Sequence, residues 1–367
     1  MKVALVHELL TTRGGAERVL KILADMFPDA PVYTLLFDER KMSDLFPKER
    51  VRGYLAPLFG YNHHLYLKKF PSVVESWDFS TFDLVISSSS AFAHGIITNG
   101  RPKHLCYVHS PARYLWDSTH DVLRRAGTGI LGPLKRRYLE RAFHNLRIWD
   151  SEAAERPDLL LANSRTVQRR IELYWRRESE VLYPPVDSFW FEPGEIANRK
   201  SQIANPFYLI VSTLSPYKRI DLAIQACNAL GRTLIVVGEG RDRRRLERMA
   251  GPTVRFLGRR RNEEIRDLYR GAAAVLFPCE DDFGLVPVEA QACSTPVIAY
   301  RAGGALETVL EGGTGEFFDE QTPISLQQTL QKFEQKKYSS DACSQNARQF
   351  SAERFIEGIH RGMKRLS

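Results

Sequence analysis

With 367 residues, 43% hydrophobic and 26% charged, the chain has the make-up of a globular protein with enough apolar content for two cores. No apolar run reaches the roughly 18 residues that a membrane-spanning helix needs, so a spanning segment is not expected. The net charge of +8, carried largely by arginine, points to an anionic partner such as a phosphorylated small molecule, an anionic membrane or nucleic acid.

The opening MKVALVHELL reads as a buried strand, because His7 and Glu8 interrupt the apolar run too early for a signal peptide. Behind it, GGAERVLKILADMF has helical spacing, with Val19, Leu20, Leu23 and Phe27 predicted inward. PVYTLLF, FDLVISSS, HLCYVHSP, DLLLANS and EVLYPPV continue the first half as strands. Four prolines between Pro184 and Pro206, with little periodicity, mark a linker. The rhythm then restarts. FYLIVSTL, TLIVVGEG, VRFLG, AAVLFP and TPVIAYR read as strands, and IDLAIQACNAL, RDRRRLERMA and NEEIRDLYRGA as the helices between them. From about Ser344 to Leu366 a last helix carries Ala347, Phe350, Phe355, Ile359 and Met363 as its apolar stripe. Strands alternating with helices imply parallel sheets, here two nucleotide-fold-like halves, with ligands at the carboxyl ends of the strands.

Five scattered cysteines (Cys106, Cys227, Cys279, Cys293, Cys343) lack paired metal spacing and are expected to be reduced thiols. Neither zinc-finger spacing nor the signature of an RNA-binding sheet is found, so nucleic acid is not the expected partner.

Candidate chemistry sits at predicted strand ends. Gly14 and Gly15 follow the first strand and open a helix, where bare backbone and unpaired amides suit a phosphate or sugar oxygen. His109 ends the YVHSP strand. Lys218 and Arg219 precede a helix start, where the dipole is already positive, so cations there need an anionic ligand to justify them. In CEDDFGLVPVEAQACSTP, Asp281 and Glu289 straddle a turn whose amides belong to Phe283, Gly284, Leu285 and Val286. Two hydroxyl-binding acids around an amide-lined turn suit a nucleoside diphosphate sugar, and no histidine or third carboxylate joins them at metal-ligand spacing. The segment Gly129 to Trp149, with Lys68 and Lys69, is basic and aromatic enough to rest on an anionic membrane surface.

These motifs, in this order, resemble the family 4 retaining glycosyltransferases: GGAER, YVHSP, ANS, YPPVD, VSTLSPYKRID, and Asp281-x7-Glu289 followed by EAQACSTPVIAYRAGGALETV. The resemblance spans nearly the whole chain and is greatest to bacterial members that build O-antigen and exopolysaccharide, many of them mannosyltransferases using GDP-mannose. It implies the α/β GT-B fold, two Rossmann-like domains facing across a cleft, with a C-terminal helix crossing back to the first. The expected domains are 1–190 (acceptor), 191–345 (nucleotide sugar) and 346–367 (returning helix). It also implies that Gly14 and Gly15 approach sugar and phosphates, and that His109 contacts the transferred sugar. Lys218, with Arg219 beside it, would bind the diphosphate. Asp281 and the amides after it would hold the sugar, and Glu289 the ribose, with Gly258 and Arg259 near the base. No metal or other cofactor is implied. The expected partners are GDP-mannose ahead of UDP-sugars and a glycan or polyprenyl-diphosphate-linked acceptor. The expected location is the cytoplasm, peripheral to the inner face of the plasma membrane.

Three positions depart from the family pattern. Asp281 replaces the usual Glu, Thr213 stands where an Arg is common, and Ser294 takes the place of a glycine that a left-handed turn would favour. A non-catalytic binding subunit and a nucleotide-sugar epimerase of the same architecture are the competing readings.

Overall fold

The computed structural model describes residues 1–56, 60, 61, 63, 66–129, 131–192 and 206–366. Two compact units divide it, Met1–Tyr183 with Ile356–Ser367, and Pro184–Phe355.

The first unit is built on a seven-stranded sheet in the order β3-β2-β1-β4-β5-β6-β7. Its strands are β1 Val3–Leu10, β2 Val32–Phe37, β3 Val51–Arg52, β4 Leu84–Ser89, β5 Lys103–Val108, β6 Leu159–Ala162 and β7 Glu180–Val181. Every pairing is parallel. A parallel sheet covered on both faces needs strands that are apolar throughout, and β1 and β4 are buried along almost their whole length. The chain winds outward in both directions from β1 and β4, so their carboxyl ends form the switch point where ligands collect in such sheets.

Helix Gly15–Met26 packs Val19, Leu20, Leu23 and Ala24 inward. Phe27, predicted in that stripe, instead ends the helix, its N–H bonded to the Leu23 carbonyl. The 22-residue helix Gly132–Ala153 is anchored by Asp150. Its buried carboxylate accepts the indole N–H of Trp116 at 2.8 Å and of Trp175 at 2.7 Å.

The second unit repeats the plan with six parallel strands in the order β10-β9-β8-β11-β12-β13. They are β8 Phe207–Val211, β9 Thr233–Val237, β10 Val254–Gly258, β11 Ala274–Phe277, β12 Val297–Tyr300 and β13 Gly315–Phe318. The switch point lies between β8 and β11. Of the proline-rich segment read as a linker, residues 184–192 pack within this unit: Trp190 is buried edge-on to Tyr269, and Arg266 donates to the Phe189 carbonyl. Residues 193–205 lie outside the described residues.

The last predicted helix is two helices, Ser340–Ala347 and Ala352–Leu366. The break follows from Ser351, which is extended and bridges Val186, whose N–H bonds to the Phe350 carbonyl at 2.7 Å. Past Phe355 the final helix belongs to the first unit. Gly358 and Gly362 bring it close: a Cβ at Gly358 would lie 2.2 Å from Leu182, and one at Gly362 2.9 Å from Leu105. All five cysteines are buried free thiols. Among the described residues no helix is long and apolar enough to cross a membrane.

Candidate functional site

In the second unit the loops leaving β8 and β11 meet at the switch point. Backbone hydrogen bonds from Leu214 N–H to Glu239 (2.9 Å) and from Asp242 N–H to Leu214 (3.1 Å) hold the β8 loop to its neighbour. Gly238 (φ +129°) and Gly240 permit this approach, since a Cβ on either would lie about 2 Å from the carbonyl oxygens of Ser212 and Leu214. The loop then makes a short turn, Pro216–Lys218, passes through Arg219 at φ +49° and enters helix Ile220–Leu230.

This path sets Lys218 against Asp281, Nζ to Oδ2 at 2.6 Å, with the rings of Tyr217 and Phe277 beside the ammonium at 5.1 and 5.9 Å. Burial alone would depress the Lys218 amine. The Asp281 carboxylate more than reverses that and holds its pKa above the ordinary lysine value. Lys218 is therefore a fixed cation whose counterion is a carboxylate that itself suits sugar hydroxyls.

Arg219 points elsewhere. Its guanidinium reaches the Gln321 side-chain oxygen at 3.1 Å and Asp221 at 3.5 Å, and Gln321 in turn donates to the Pro278 carbonyl. It braces the loops after β8, β11 and β13.

After Asp281 the chain turns at Gly284 (φ +83°) into helix Leu285–Ala292. The first turn of any helix leaves amides without intrahelical acceptors, and here Leu285 and Val286 supply them, while Pro287 has no N–H to leave unpaired. The Phe283 ring is buried edge-on to Phe350 at 5.4 Å, so the residue presents backbone rather than side chain. Gly303 and Gly304, after β12, form the wall behind this loop. A Cβ on Gly303 would lie 2.3 Å from the Asp281 carbonyl oxygen, and one on Gly304 2.2 Å from Phe283 Cα. The Gly304 N–H bonds to that Asp281 carbonyl at 2.9 Å.

Glu289 is the fifth residue of the helix and only 5% exposed, accepting a hydrogen bond from the Tyr269 hydroxyl at 3.2 Å. Gly258 ends β10 at φ +70° with its carbonyl bonded to Gly238 N–H, and Arg259 beyond it is exposed. The structure thus gathers Lys218, Asp281 and the first-turn amides. It sets Gly258 and Arg259 two strands away and Glu289 in the interior. Ser294 has φ +66°. Thr213 is exposed.

In the first unit His109 follows β5, and its Nε2 lies 2.8 Å from the Ser88 hydroxyl at the end of β4. The same hydroxyl lies 3.1 Å from His7 Nδ1, and the Ser88 carbonyl oxygen lies at 3.1 Å from that nitrogen. His7 Nε2 is 3.8 Å from Glu17 Oε1, and Glu17 Oε2 accepts the Gly14 N–H at 2.8 Å. Gly14 caps the helix and Gly15 is its first residue. His109, Gly14 and Gly15 are thus joined through side chains that sequence reasoning passed over: His7, Glu17 and Ser88. Their only signals were a His-Glu pair interrupting a strand, a Glu in the GGAER loop and a run of serines at a strand end.

Burial pulls the His7 imidazole down, but Glu17 and the neighbouring Glu8 offset it and leave the ring above its ordinary pKa. Burial, reinforced by the charge of His7, drives His109 well below. Glu8 is held ionised against burial by His7 and by the amides of Ala91, Phe92 and Ala93, to which one carboxylate oxygen is bonded at 2.9–3.0 Å.

Comparisons with known proteins agree with this architecture. Residues 195–350 match the family model for glycosyl transferases group 1. An uncharacterized glycosyltransferase of Methanocaldococcus jannaschii is 24% identical over 224 residues, 59% of this chain and 62% of that protein. A D-inositol 3-phosphate glycosyltransferase of Nocardiopsis dassonvillei is 32% identical over 193 residues, 45% of each chain. The chain spans about half the length of the curated relatives it matches. Among solved structures, Anabaena HepE in complex with UDP superposes with a TM-score of 0.73 at 20% identity, covering 99% of this chain and 100% of that one. The sucrose-phosphate synthase of Thermosynechococcus elongatus superposes at 0.71 with 18% identity over the whole of both chains. The two Rossmann-like sheets are those of the GT-B fold, and the match to the glycosyl transferases group 1 model falls on the second unit.

Proposed function

We propose that the protein is a retaining glycosyltransferase that moves a hexosyl group from a nucleotide-diphosphate sugar to a glycan or lipid-linked hydroxyl in surface polysaccharide synthesis. The observation that carries this reading is the Lys218–Asp281 pair at 2.6 Å beside the first turn of helix Leu285–Ala292. A cation and helix amides suit a diphosphate, and a carboxylate suits the hydroxyls of the sugar attached to it.

In the proposed reaction the bond from the anomeric carbon to the diphosphate oxygen breaks, and the electron pair leaves with the phosphate. The acceptor oxygen bonds to the same face of the sugar through an oxocarbenium-like ion pair, and its proton passes to the departing phosphate. Lys218 and the amides of Leu285 and Val286 stabilise the leaving charge without a metal. Asp281 holds sugar hydroxyls, and His109, Gly14 and Gly15 are assigned to the transferred sugar. Glu289 is assigned to the ribose. Its bond from Tyr269 occupies one carboxylate oxygen and leaves acceptor capacity for that role.

The family resemblance favours GDP-mannose, whereas HepE has been solved with UDP and UDP-glucose. Isothermal titration with GDP-mannose, UDP-glucose, GDP and UDP decides between them. Selective binding of one nucleotide, tightened by its sugar, supports the reading. No binding of any at millimolar concentration overturns it in favour of a non-catalytic subunit, and interconversion of donors without an acceptor would mark an epimerase.

The acceptor partner is proposed to reside on an anionic membrane. Leu131 and Leu134 are each 70% exposed, and Tyr138 lies one turn beyond Leu134 with Lys68 4.0 Å above its ring. Lys69, Lys135, Arg137 and Arg141 are exposed around them. Apolar tips among cations suit an anionic surface. The protein should sediment with vesicles containing phosphatidylglycerol, not with phosphatidylcholine alone, and a Leu131→Glu/Leu134→Glu variant should stay in solution. Equal sedimentation with both lipids would remove the membrane from the proposal.

A further inference from the structure

The chain from His109 to Gly14 fixes more than position. Ser88 presents two oxygens to His7 Nδ1, its hydroxyl and its carbonyl, each at 3.1 Å. A carbonyl only accepts, so His7 Nδ1 must carry a hydrogen. That hydrogen points at both Ser88 oxygens, which makes the hydroxyl oxygen an acceptor on the His7 side. The hydroxyl hydrogen is then left for the other neighbour, His109 Nε2 at 2.8 Å. A nitrogen that accepts from a hydroxyl is unprotonated, so the ring hydrogen of His109 sits on Nδ1.

We propose that Ser88 and His7 are positioning residues that hold His109 as the neutral ring protonated at Nδ1, a fixed hydrogen-bond donor to a ligand oxygen and not a general base. The inference rests on the reading above only in naming the ligand a sugar; the tautomer is a property of the first unit by itself. Glu17 completes the arrangement. Its two oxygens face His7 Nε2 at 3.8 Å and the Gly14 N–H at 2.8 Å, so the group that orients His7 also holds the glycine turn at the head of helix Gly15–Met26. The hydrogen bonds from His7 through Ser88 to His109 are thereby set in direction in advance, with Glu17 linked to His7 by charge at 3.8 Å, and a sugar hydroxyl arriving at His109 meets a donor that needs no reorganisation.

Two-bond nitrogen–proton correlation spectra of the full chain, labelled with 15N-histidine, test this without substrate, and a His109→Gln variant assigns the signal. His109 should show a pyrrole-type Nδ1 and a pyridine-type Nε2. In Ser88→Ala the two forms should mix, whereas Ser88→Thr, which keeps the hydroxyl, should retain the wild-type pattern. Protonation of His109 at Nε2 in the wild-type chain overturns the proposal, as does an unchanged pattern in Ser88→Ala. Should Ser88→Ala fail to fold, the wild-type spectrum still decides the tautomer, and Ser88→Cys, which replaces the hydroxyl with a weaker donor of similar size, tests the role of the hydroxyl. Once a donor is identified, Ser88→Ala should lower kcat about tenfold, the worth of one hydrogen bond, with Ser88→Thr near wild type. A chain with the stated tautomer but no transfer activity would sink the functional reading and leave this one standing.

Discussion

In the proposed reaction, Lys218 is the residue on which the chemistry turns. Its ammonium is kept charged by Asp281 and sits where a helix start already carries positive potential, an arrangement that an incoming anion would stabilise further. If it acts on the departing diphosphate, Lys218→Ala should lower kcat by on the order of 100-fold. Donor affinity should change by less than about tenfold. Steady-state donor turnover alongside calorimetric affinity separates the two, and an unchanged kcat would remove Lys218 from the mechanism.

Ser294 makes a different point at the same scale. Helix Leu285–Ala292 ends with Ser294 N–H bonded to the Gln291 carbonyl and Thr295 N–H to the Ala290 carbonyl, the paired closure that places a left-handed residue after the cap. A non-glycine residue there costs roughly 1–2 kcal/mol. Glycine's greater freedom when unfolded returns some 0.5–1 kcal/mol of that. Ser294→Gly should therefore stabilise the chain by about 0.5–1 kcal/mol. The urea midpoint of the second unit reads this directly, and a midpoint that falls would show that the serine is not strained.

Among elements, the loops between strands and helices carry the site, and contacts within the second unit hold them. Helix Leu285–Ala292 is fixed by a buried amide network in which Asn346 donates to the Gln291 side chain at 2.7 Å and to the Thr308 carbonyl at 2.8 Å. Gly304 presses on the Asp281 loop from the other side. Gly304→Ala would drive a Cβ into the Phe283 backbone, so it should cost about 1–3 kcal/mol of stability. It should weaken nucleotide binding as well, because the Phe283 backbone that leads into the helix would have to move. Gly313→Ala, whose Cβ meets nothing closer than 3.5 Å, is the control and should be near neutral. Equal effects at the two positions would argue that the glycine wall does not shape the loop.

Over the whole molecule, two separately cored units mean that unfolding is not one two-state event. Acid should weaken both, and in the second one responsible group can be named. Glu316 on β13 is buried, which alone would raise its pKa. Lys332, Lys336 and the Tyr338 hydroxyl overcome this and hold it at about 2. A depressed carboxylate stabilises above its unfolded pKa, and that contribution is lost as pH falls from about 4.5 towards 2. Allowing for the half-exposed lysines, it amounts to ~2 kcal/mol. Calorimetry between pH 5 and 2.5 should show the second unit's transition falling steeply, and Glu316→Gln should lower it at pH 5 and flatten the dependence. An equal slope in the variant would remove Glu316 as the source.

Most of this architecture was legible in the order of residues. Eleven of the strands were readable, the nine inner ones because parallel strands buried on both faces are runs of apolar residues, and the edge strands Glu180–Val181 and Val254–Gly258 from short apolar runs beside turn signals. The two that were missed, Val51–Arg52 and Gly315–Phe318, are the opposite edge strands of their sheets, one only two residues long and the other opening on Gly-Glu. Lys218, Asp281 and the helix after Gly284 could be found because strand ends, glycine turns and helix starts are local signals. The sequence by itself thus determined two parallel sheets, their strand-end loops and the cation and carboxylate those loops carry. Only the tertiary structure decided how such side chains face one another. It turned Arg219 to Gln321, buried Glu289 against Tyr269, broke the last helix at Ser351 and joined His7, Ser88 and His109 at the β1–β4 switch point. The reason is physical: periodicity encodes which face of an element is buried, whereas hydrogen-bond partners 81 or 102 residues apart are set by register between strands that no local pattern contains.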